Sequence, residues 1–455
     1  VRRVVEYSMS LYQGPATKET LIDEAELLFD TMFNLKLFTA GRTLWVGGTE
    51  SARKFGEANF NCSFIVVDSL ASFVETFHLL MVGSGVGFRV LPEDVNKLPR
   101  FNTEVVVAHK PYHGKIKAER IEDTLVYEDK DDTKASILIV VGDSKGGWVT
   151  ALEQYLYAML RDDVESIVIN YDSVRPQGEE LKTFGGRASG HQALKNMFRS
   201  IHRVIINSPE GKLRSIDAMD IQNHIGLNVV VGGVRRTSEI ALFDAYDIDI
   251  LNAKVDLWMP GSKNYGNDQR SMSNNSIFFN EKPTKETLAN IFDRIQNNGE
   301  PGFINAEAAR KRRPNFQGLN PCAEILLDSR GVCNLTEINM TAFLTEDGYD
   351  HKALFHAVEL ATRVGLRQTN VNLDLKEWDG VQKRDRLTGV SLSGIMDFET
   401  ALGWEKSTEQ KWDTFSISDE LADLLRDLNY TANQQAIYYA KEMRVPTPLL
   451  VTTIY

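Results

Sequence analysis

Short β-type runs alternate with helical stretches along most of this chain, and that alternation limits the fold more than any other feature. "SFIVV" (63–67), "SILIVV" (136–141) and "SIVIN" (166–170) are strand-length runs rich in β-branched and apolar residues. Between and around them lie patterns of helical period. These are "TKETLIDEAELLFDTMFNLKLF" (17–38), with Thr17 as candidate cap, "TALEQYLYAML" (150–160), residues 214–230 ending at Gly232-Gly233, and a longer pattern at 417–443. Strands separated by helices and glycine-marked turns predict an α/β architecture. Residues 91–135, ending in "YEDKDD", are the most charged and least periodic, and are expected to form an insertion or surface subdomain. There is no internal repeat and no low-complexity linker.

A length of 455 residues allows two or three domains, or one large barrel. With 42% hydrophobic and 25% charged residues the chain can bury a sizeable core. Its net charge of −12 argues against broad nucleic-acid binding, but leaves room for nucleotides, which need only local donors. No run of about 18 apolar residues predicts a membrane span. The start "VRRVVEYSMS" has no signal-peptide core and no initiating Met, which suggests a piece of a longer chain. The three cysteines, Cys62, Cys322 and Cys333, are too few and too odd in number for a secreted disulfide scaffold, so a reducing cytoplasm is expected. None has metal-ligand spacing, so no metal site is expected.

Several glycine-rich stretches bear on nucleotide binding. "GSGVGF" (83–88) is not GxGxxG, and close backbone packing at a helix-to-strand turn is the stronger expectation. "RPQGEELKTFGGRASG" (175–190) and "VVVGGVRR" (229–236) combine glycines with arginines and could bring N–H groups and a cation to a phosphate, although arginines at turns are usually just solvated.

"NPCAEILLDSRGVC" (320–333) holds two of the three cysteines. If residues 320–324 are extended, Asn320, Cys322 and Glu324 project to one side, with Pro321 and Ala323 behind them. A carboxylate can take a proton from a hydroxyl, an amide can hold that hydroxyl, and a thiol can act as nucleophile or one-electron carrier. The plain alternative for Cys322 is a small buried hydrophobe, and two polar neighbours on its own side bring the two readings level. A turn is expected near Asp328–Gly331. In a regular hairpin about it Cys333 would face Leu326, roughly 13 Å from Cys322 at about 3.3 Å per residue. Cys62 is then the more plausible partner for Cys333. No histidine is near the cysteines in sequence; a Cys–His hydrolase would need the fold to bring in His78 or His224.

"NPCAE" followed by "CNLTEIN" resembles the active-site region of the ribonucleotide reductase catalytic chain, with spacing similar to the adenosylcobalamin-dependent (class II) branch. Other segments agree in order: "GRTLWVGGT" (41–49), "NFNCSF" (59–64), "GSGVGF", "GDSKGGW" (142–148), "VRPQGEELKTFGGRASG", "VVGGVRRTSEIAL" (230–242), "RSMSNNSI" (270–277), "NGEPGFIN" (298–305) and "RLTGVSLSG" (386–394). An insertion at 91–135 followed by "GDSKGGW" is most similar to the monomeric class II enzymes, where an insertion imitates a dimer partner at the effector site. The resemblance implies a ten-stranded α/β barrel over 61–455, with Cys322 on a loop inside it, after an N-terminal helical region at 1–60.

The resemblance also implies roles. Cys322 would be the thiyl-radical site, Glu324 the base on the ribose 3′-hydroxyl and Asn320 a hydrogen-bonding partner of the ribose. Cys62 and Cys333 would reduce the substrate and end as a disulfide. Adenosylcobalamin would supply the radical. "YGNDQRSMSNN" (265–275) resembles the loop linking effector to substrate, which offers Gly266, Gln269, Arg270 and Asn274, together with Asn61 and Arg235, as binding positions. The implied partners are a ribonucleotide, expected as triphosphate, a deoxynucleotide effector and a thioredoxin-like or small dithiol reductant. Neither nucleic acid nor membrane is implied, and a monomer is expected. The family usually has glycine where Ala323 stands, a change expected to be harmless on the back side. "VPTPLLVTTIY" (445–455) resembles the segment before the family's phosphate-binding loop, so the last barrel strands and a C-terminal cysteine pair are expected beyond this sequence. The competing readings are a class I large subunit, which takes its radical from a separate subunit, and a non-catalytic nucleotide-binding relative. A thiol-disulfide exchange protein is disfavoured by the lack of CxxC.

Overall fold

The computed structural model describes every residue except 182–185, 232, 233, 236, 405–416, 450 and 455. The chain divides into two compact units, one of Cys62–Arg330 and one of Val1–Asn61 with Gly331–Tyr455. No helix among the described residues is long and apolar enough to cross a membrane.

The Cys62–Arg330 unit is organised on parallel strands, in the order Gly302–Asn305, Ser273–Phe279, Glu239–Phe243, Gly85–Arg89, Cys62–Val66. Every residue of Gly85–Arg89 and Glu239–Phe243 is buried, as parallel strands covered on both faces require. Helix Leu70–Val82 joins the Cys62 strand to the Gly85 strand. It ends at Gly83, whose φ of +86° is a left-handed cap that a side chain would resist.

A second sheet in this unit has the order Val106–His109, Val164–Asn170, Ala135–Val140, Leu125–Lys130. Leu125–Lys130 runs antiparallel to its neighbour and the others are parallel. Ala135–Val140 alternates buried and half-buried residues, so one face of the strand takes the apolar load. "GDSKGGW" opens the helix Lys145–Ala158, where Ser144 Oγ accepts from the Gly147 N–H at 2.9 Å. The three predicted strands are present within one or two residues. The aperiodic stretch 91–135 contributes the short helix Pro92–Val95 and the strands Val106–His109 and Leu125–Lys130.

The other unit carries the sheet Leu37–Thr39, Leu335–Asn339, Thr388–Ser393, Val451–Ile454, the first strand antiparallel and the rest parallel. Helices His351–Gln368 and Asp419–Met443 pack Leu354, Val358, Ala361, Leu421 and Leu428 against Ile338 and Val390 of the sheet. Thr17 caps the first long helix, accepting from the Thr20 N–H at 3.2 Å. That helix covers Lys18–Phe33 and not the whole of 17–38. Leu35 turns the chain at φ +57°, and pairing with Thr336–Ile338 draws Leu37–Thr39 into a strand that buries Leu37 completely. Tertiary pairing outweighs the helical period there. The Arg367 side chain, fully buried, is paired with Glu24 and donates to the Tyr439 hydroxyl at 3.0 Å and Ser8 Oγ at 3.1 Å. Removing one partner of such a pair costs about 3–5 kcal/mol, so this cluster anchors the helices.

Candidate active site

The cysteine segment forms a short hairpin whose strands are Gly318–Leu319 and Leu326–Leu327, paired Gly318 to Leu327 and Leu319 to Leu326. Residues 320–325 make its tip, so the expectation of an extended 320–324 is corrected. The Ala323 N–H donates to the Asn320 carbonyl at 2.9 Å, and Ala323 has φ +66°. Ala323 is therefore exposed at the left-handed position of a turn, not placed on the back of a strand. An L-residue there is strained by about 1–2 kcal/mol. The expected facing of Cys333 and Leu326 is corrected too, because Leu326 is taken by Leu319. A turn does exist at Ser329–Arg330, with Arg330 at φ +63°. It is fastened to the Cys62 strand by Arg330 N–H to the Phe64 carbonyl at 2.8 Å and Val66 N–H to Ser329 Oγ at 3.0 Å.

Glycine explains how closely the hairpin lies on the sheet. A Cβ at Gly87 would fall 1.8 Å from the Leu319 carbonyl oxygen, one at Gly318 2.1 Å from the Phe64 ring, and one at Gly85 3.1 Å from Pro321 Cγ. The glycines of "GSGVGF" thus serve backbone packing, as expected for a strand that another segment must approach. Gly85 is in register with Cys62 on the neighbouring strand, so the tip leans over the start of the Cys62 strand.

The three side chains of the tip have different surroundings. Asn320 is fully buried; its Oδ1 accepts from the Ile325 N–H at 2.9 Å, while Nδ2 is buried with no partner. Glu324 is half-buried and its Oε2 is likewise buried without a partner. Cys322 is exposed and lies beside the half-buried Cys62. The neighbouring Cys62 side chain, partial burial and the Glu324 carboxylate push the Cys322 thiol well above the ordinary thiol range. No histidine is among the groups acting on this thiol. His224 lies on the buried helix Ser215–Asn228, with its pKa lowered to about 4, chiefly by burial. Cys333 is buried on the strand Gly331–Cys333 of the other unit. All three cysteines stand as thiols.

Buried polar atoms normally find partners, and leaving one unpaired costs about 1–3 kcal/mol. A donor on Asn320 and an acceptor on Glu324, on the same turn as a thiol, are therefore left with hydrogen bonds to make.

The other predicted positions fall differently. Arg270 is held by Asp220 through two bonds of 2.9 and 2.8 Å and donates to Asn264 Oδ1 at 3.0 Å. Gln269 donates to the same Asp220 at 3.1 Å. Gly266 is a left-handed turn residue at φ +85° with open space about it, and Asn274 is exposed on Ser273–Phe279. Asn61 is half-buried with its Oδ1 lacking a partner. The Arg235 side chain, residues 182–185 of "RPQGEELKTFGGRASG" and residues 232, 233 and 236 of "VVVGGVRR" lie outside the described residues. Sequence reasoning missed Gln222 and Asn223, fully buried on Ser215–Asn228 with both amide groups unpartnered. The visible signal was a Gln-Asn pair interrupting the apolar period of that helix.

A family model described as ribonucleotide reductase, barrel domain, matches residues 218–449, slightly more than half of the chain. This chain belongs to the ribonucleotide reductase family. The cysteine hairpin lies inside the matched reductase segment. Two further models match: the insertion domain of B12-dependent ribonucleotide reductase at 103–205, and the ribonucleotide reductase alpha domain at 1–49. The insertion segment thus begins within the expected 91–135 and extends well beyond it, to residue 205. The chain is 30% identical over 445 residues to the adenosylcobalamin-dependent ribonucleoside-triphosphate reductase of Lactobacillus helveticus, with 88% of this chain and 58% of that protein covered. It is 28% identical to the protein of the same name from Lactobacillus gasseri, with 100% and 67% covered. This reductase chain therefore spans less than two thirds of the length of the first of these relatives. A crystal structure of B12-dependent (class II) ribonucleotide reductase superposes with a TM-score of 0.82 at 26% identity, covering 99% of this chain and 68% of that one.

Proposed function

We propose that this chain carries the reducing centre of an adenosylcobalamin-dependent ribonucleotide reductase that converts ribonucleoside triphosphates to 2′-deoxyribonucleotides. The observation that carries the reading is the hairpin tip, where the unpartnered Asn320 Nδ2 and Glu324 Oε2 flank the exposed Cys322. The fold that goes with it is the family's ten-stranded α/β barrel, with the tip as its inner loop.

Each side chain has a task that its surroundings suit. Asn320, fixed by its bond to the Ile325 N–H, donates from Nδ2 to a ribose hydroxyl. Glu324 takes the proton of the 3′-hydroxyl. Cys322 gives up a hydrogen atom and then takes one from C3′ of the ribose. Hydrogen-atom transfer needs a neutral S–H, and the raised pKa of Cys322 keeps it one. Adenosylcobalamin, when bound, would supply the radical that a protein side chain does not generate unaided. The donor chemistry fits that group, since the thiol that must meet it is exposed at the tip. Cys62 and Cys333 supply two electrons and two protons: the 2′-hydroxyl leaves as water, hydrogen replaces it, and the two sulfurs join. A dithiol, protein-borne or small, restores the thiols. A deoxynucleotide effector at the 265–275 loop, a monomeric state and a cytoplasmic setting complete the reading.

The test is ribonucleotide reduction by the full-length protein supplied only with adenosylcobalamin and a dithiol. Formation of deoxyribonucleotide is expected. A requirement for a second, radical-generating protein would overturn the cobalamin-dependent reading.

A further inference from the structure

Two of the three cysteines are brought side by side at the hairpin tip, and they are not the pair assigned to substrate reduction. Cys62 starts the strand whose register partner at that point is Gly85, and Gly85 lies directly beneath Pro321. The tip consequently brings Cys322 beside Cys62, whose side chain acts on the Cys322 thiol. A disulfide needs sulfurs at about 2 Å and Cβ atoms at about 3.5–4.5 Å, so the pair closes by side-chain rotation together with adjustment of the turn. Cys322 is exposed and Cys62 half-buried, so a small oxidant reaches the pair. The residue between Cys322 and Glu324 sits in a left-handed turn beside solvent, where backbone adjustment is not blocked by packing.

We propose that Cys62 and Cys322 are a reversible oxidation site: a peroxide joins them when no ribonucleotide is bound, and bound ribonucleotide prevents it. The protective half rests on the reading of the tip as a ribose site. The attacking sulfur is assigned to Cys62, because Cys322 is the thiol held protonated. The Cys62 thiolate attacks hydrogen peroxide, taking one oxygen to become a sulfenic acid and releasing hydroxide. The Cys322 sulfur then attacks the Cys62 sulfur, losing its proton as the sulfenic oxygen leaves as water. Two thiols give up two electrons, peroxide takes them, and two waters form. The cross-link removes the S–H that hydrogen-atom transfer needs, so the oxidised enzyme is silent. It also keeps the exposed Cys322 from climbing to sulfinic acid, which thiols do not reverse. A dithiol reopens the bond by exchange.

Trypsin separates the three cysteines into peptides 55–89, 313–330 and 331–352, so the connectivity can be read by mass spectrometry without reduction. Full-length reduced protein is treated with stoichiometric hydrogen peroxide, alkylated and digested. Peptide 55–89 linked to 313–330 is expected as the main product, lost in Cys322→Ser and kept in Cys333→Ser. Saturation with a ribonucleoside triphosphate at ten times its Kd should slow the linkage about tenfold, following the unliganded fraction. Linkage of 55–89 to 331–352 instead, or Cys322 recovered as sulfinate with no linkage, overturns the proposal. If the protein reduces ribonucleotides but never forms the link, only this inference falls. If the link forms equally fast with nucleotide bound, the protective half falls, and the ribose-site reading with it.

Discussion

The hairpin tip at 320–324 and the loop at 265–275 both have the residue types of a binding site, yet their polar atoms are in opposite states. At the tip, Asn320 Nδ2 and Glu324 Oε2 are buried and unpartnered. In the loop, Arg270 and Gln269 converge on Asp220 of the buried helix Ser215–Asn228, with the Arg270 and Asp220 side chains only 12% and 9% exposed. A satisfied arginine is an anchor, whereas an unsatisfied amide and an unsatisfied carboxylate keep hydrogen bonds still to be made, as the proposed ribose site requires. Residue type alone does not separate the two.

That contrast can be broken by substitution. Glu324→Gln removes a base without changing shape. It should lower kcat about 10²–10⁴-fold, with nucleotide Kd changed little, since a positioned proton acceptor typically contributes that much. An unchanged kcat would return Glu324 to a structural role. Arg270→Ala leaves Asp220 uncompensated in a largely buried place and should cost about 3–5 kcal/mol of stability in urea unfolding. A loss of effector affinity with stability intact would instead make Arg270 a ligand residue. The smallest effect expected is at Ala323. Glycine there relieves a left-handed strain of about 1–2 kcal/mol, partly offset by the added freedom of the unfolded chain, for a net gain of about 0.5–1 kcal/mol. A loss of stability on Ala323→Gly would mean that the turn is not strained.

Much of the architecture was legible because it follows from period and cap chemistry. The Cys62, Ala135 and Val164 strands come from runs of β-branched residues, and Thr17 caps the helix it was expected to cap. The packing role of "GSGVGF" was also readable, since glycines in a strand signal close approach. The shape of the tip was not. Nothing in the identity of Ala323 demands a left-handed turn, which is imposed by Leu319–Leu326 pairing and by the fit of Pro321 onto Gly85. The group Asn320, Cys322, Glu324 was named on a strand alternation that does not exist; the three residues lie on a turn instead. The partner of Arg270 was equally hidden, because Asp220 lies fifty residues earlier in the chain and only the fold joins them. The approach of Cys322 to Cys62 likewise follows from the register between Cys62 and Gly85 and the fit of Pro321 onto Gly85.

The central claim is that Cys322 carries the radical step while other thiols supply the electrons. The direct measurement is a single turnover of pre-reduced full-length protein with ribonucleoside triphosphate and adenosylcobalamin, no external dithiol being present. The expected result is a burst of deoxyribonucleotide matched by loss of the Cys62 and Cys333 thiols, and no product from Cys322→Ser despite unchanged nucleotide binding. Deoxyribonucleotide formed by Cys322→Ser would contradict the account.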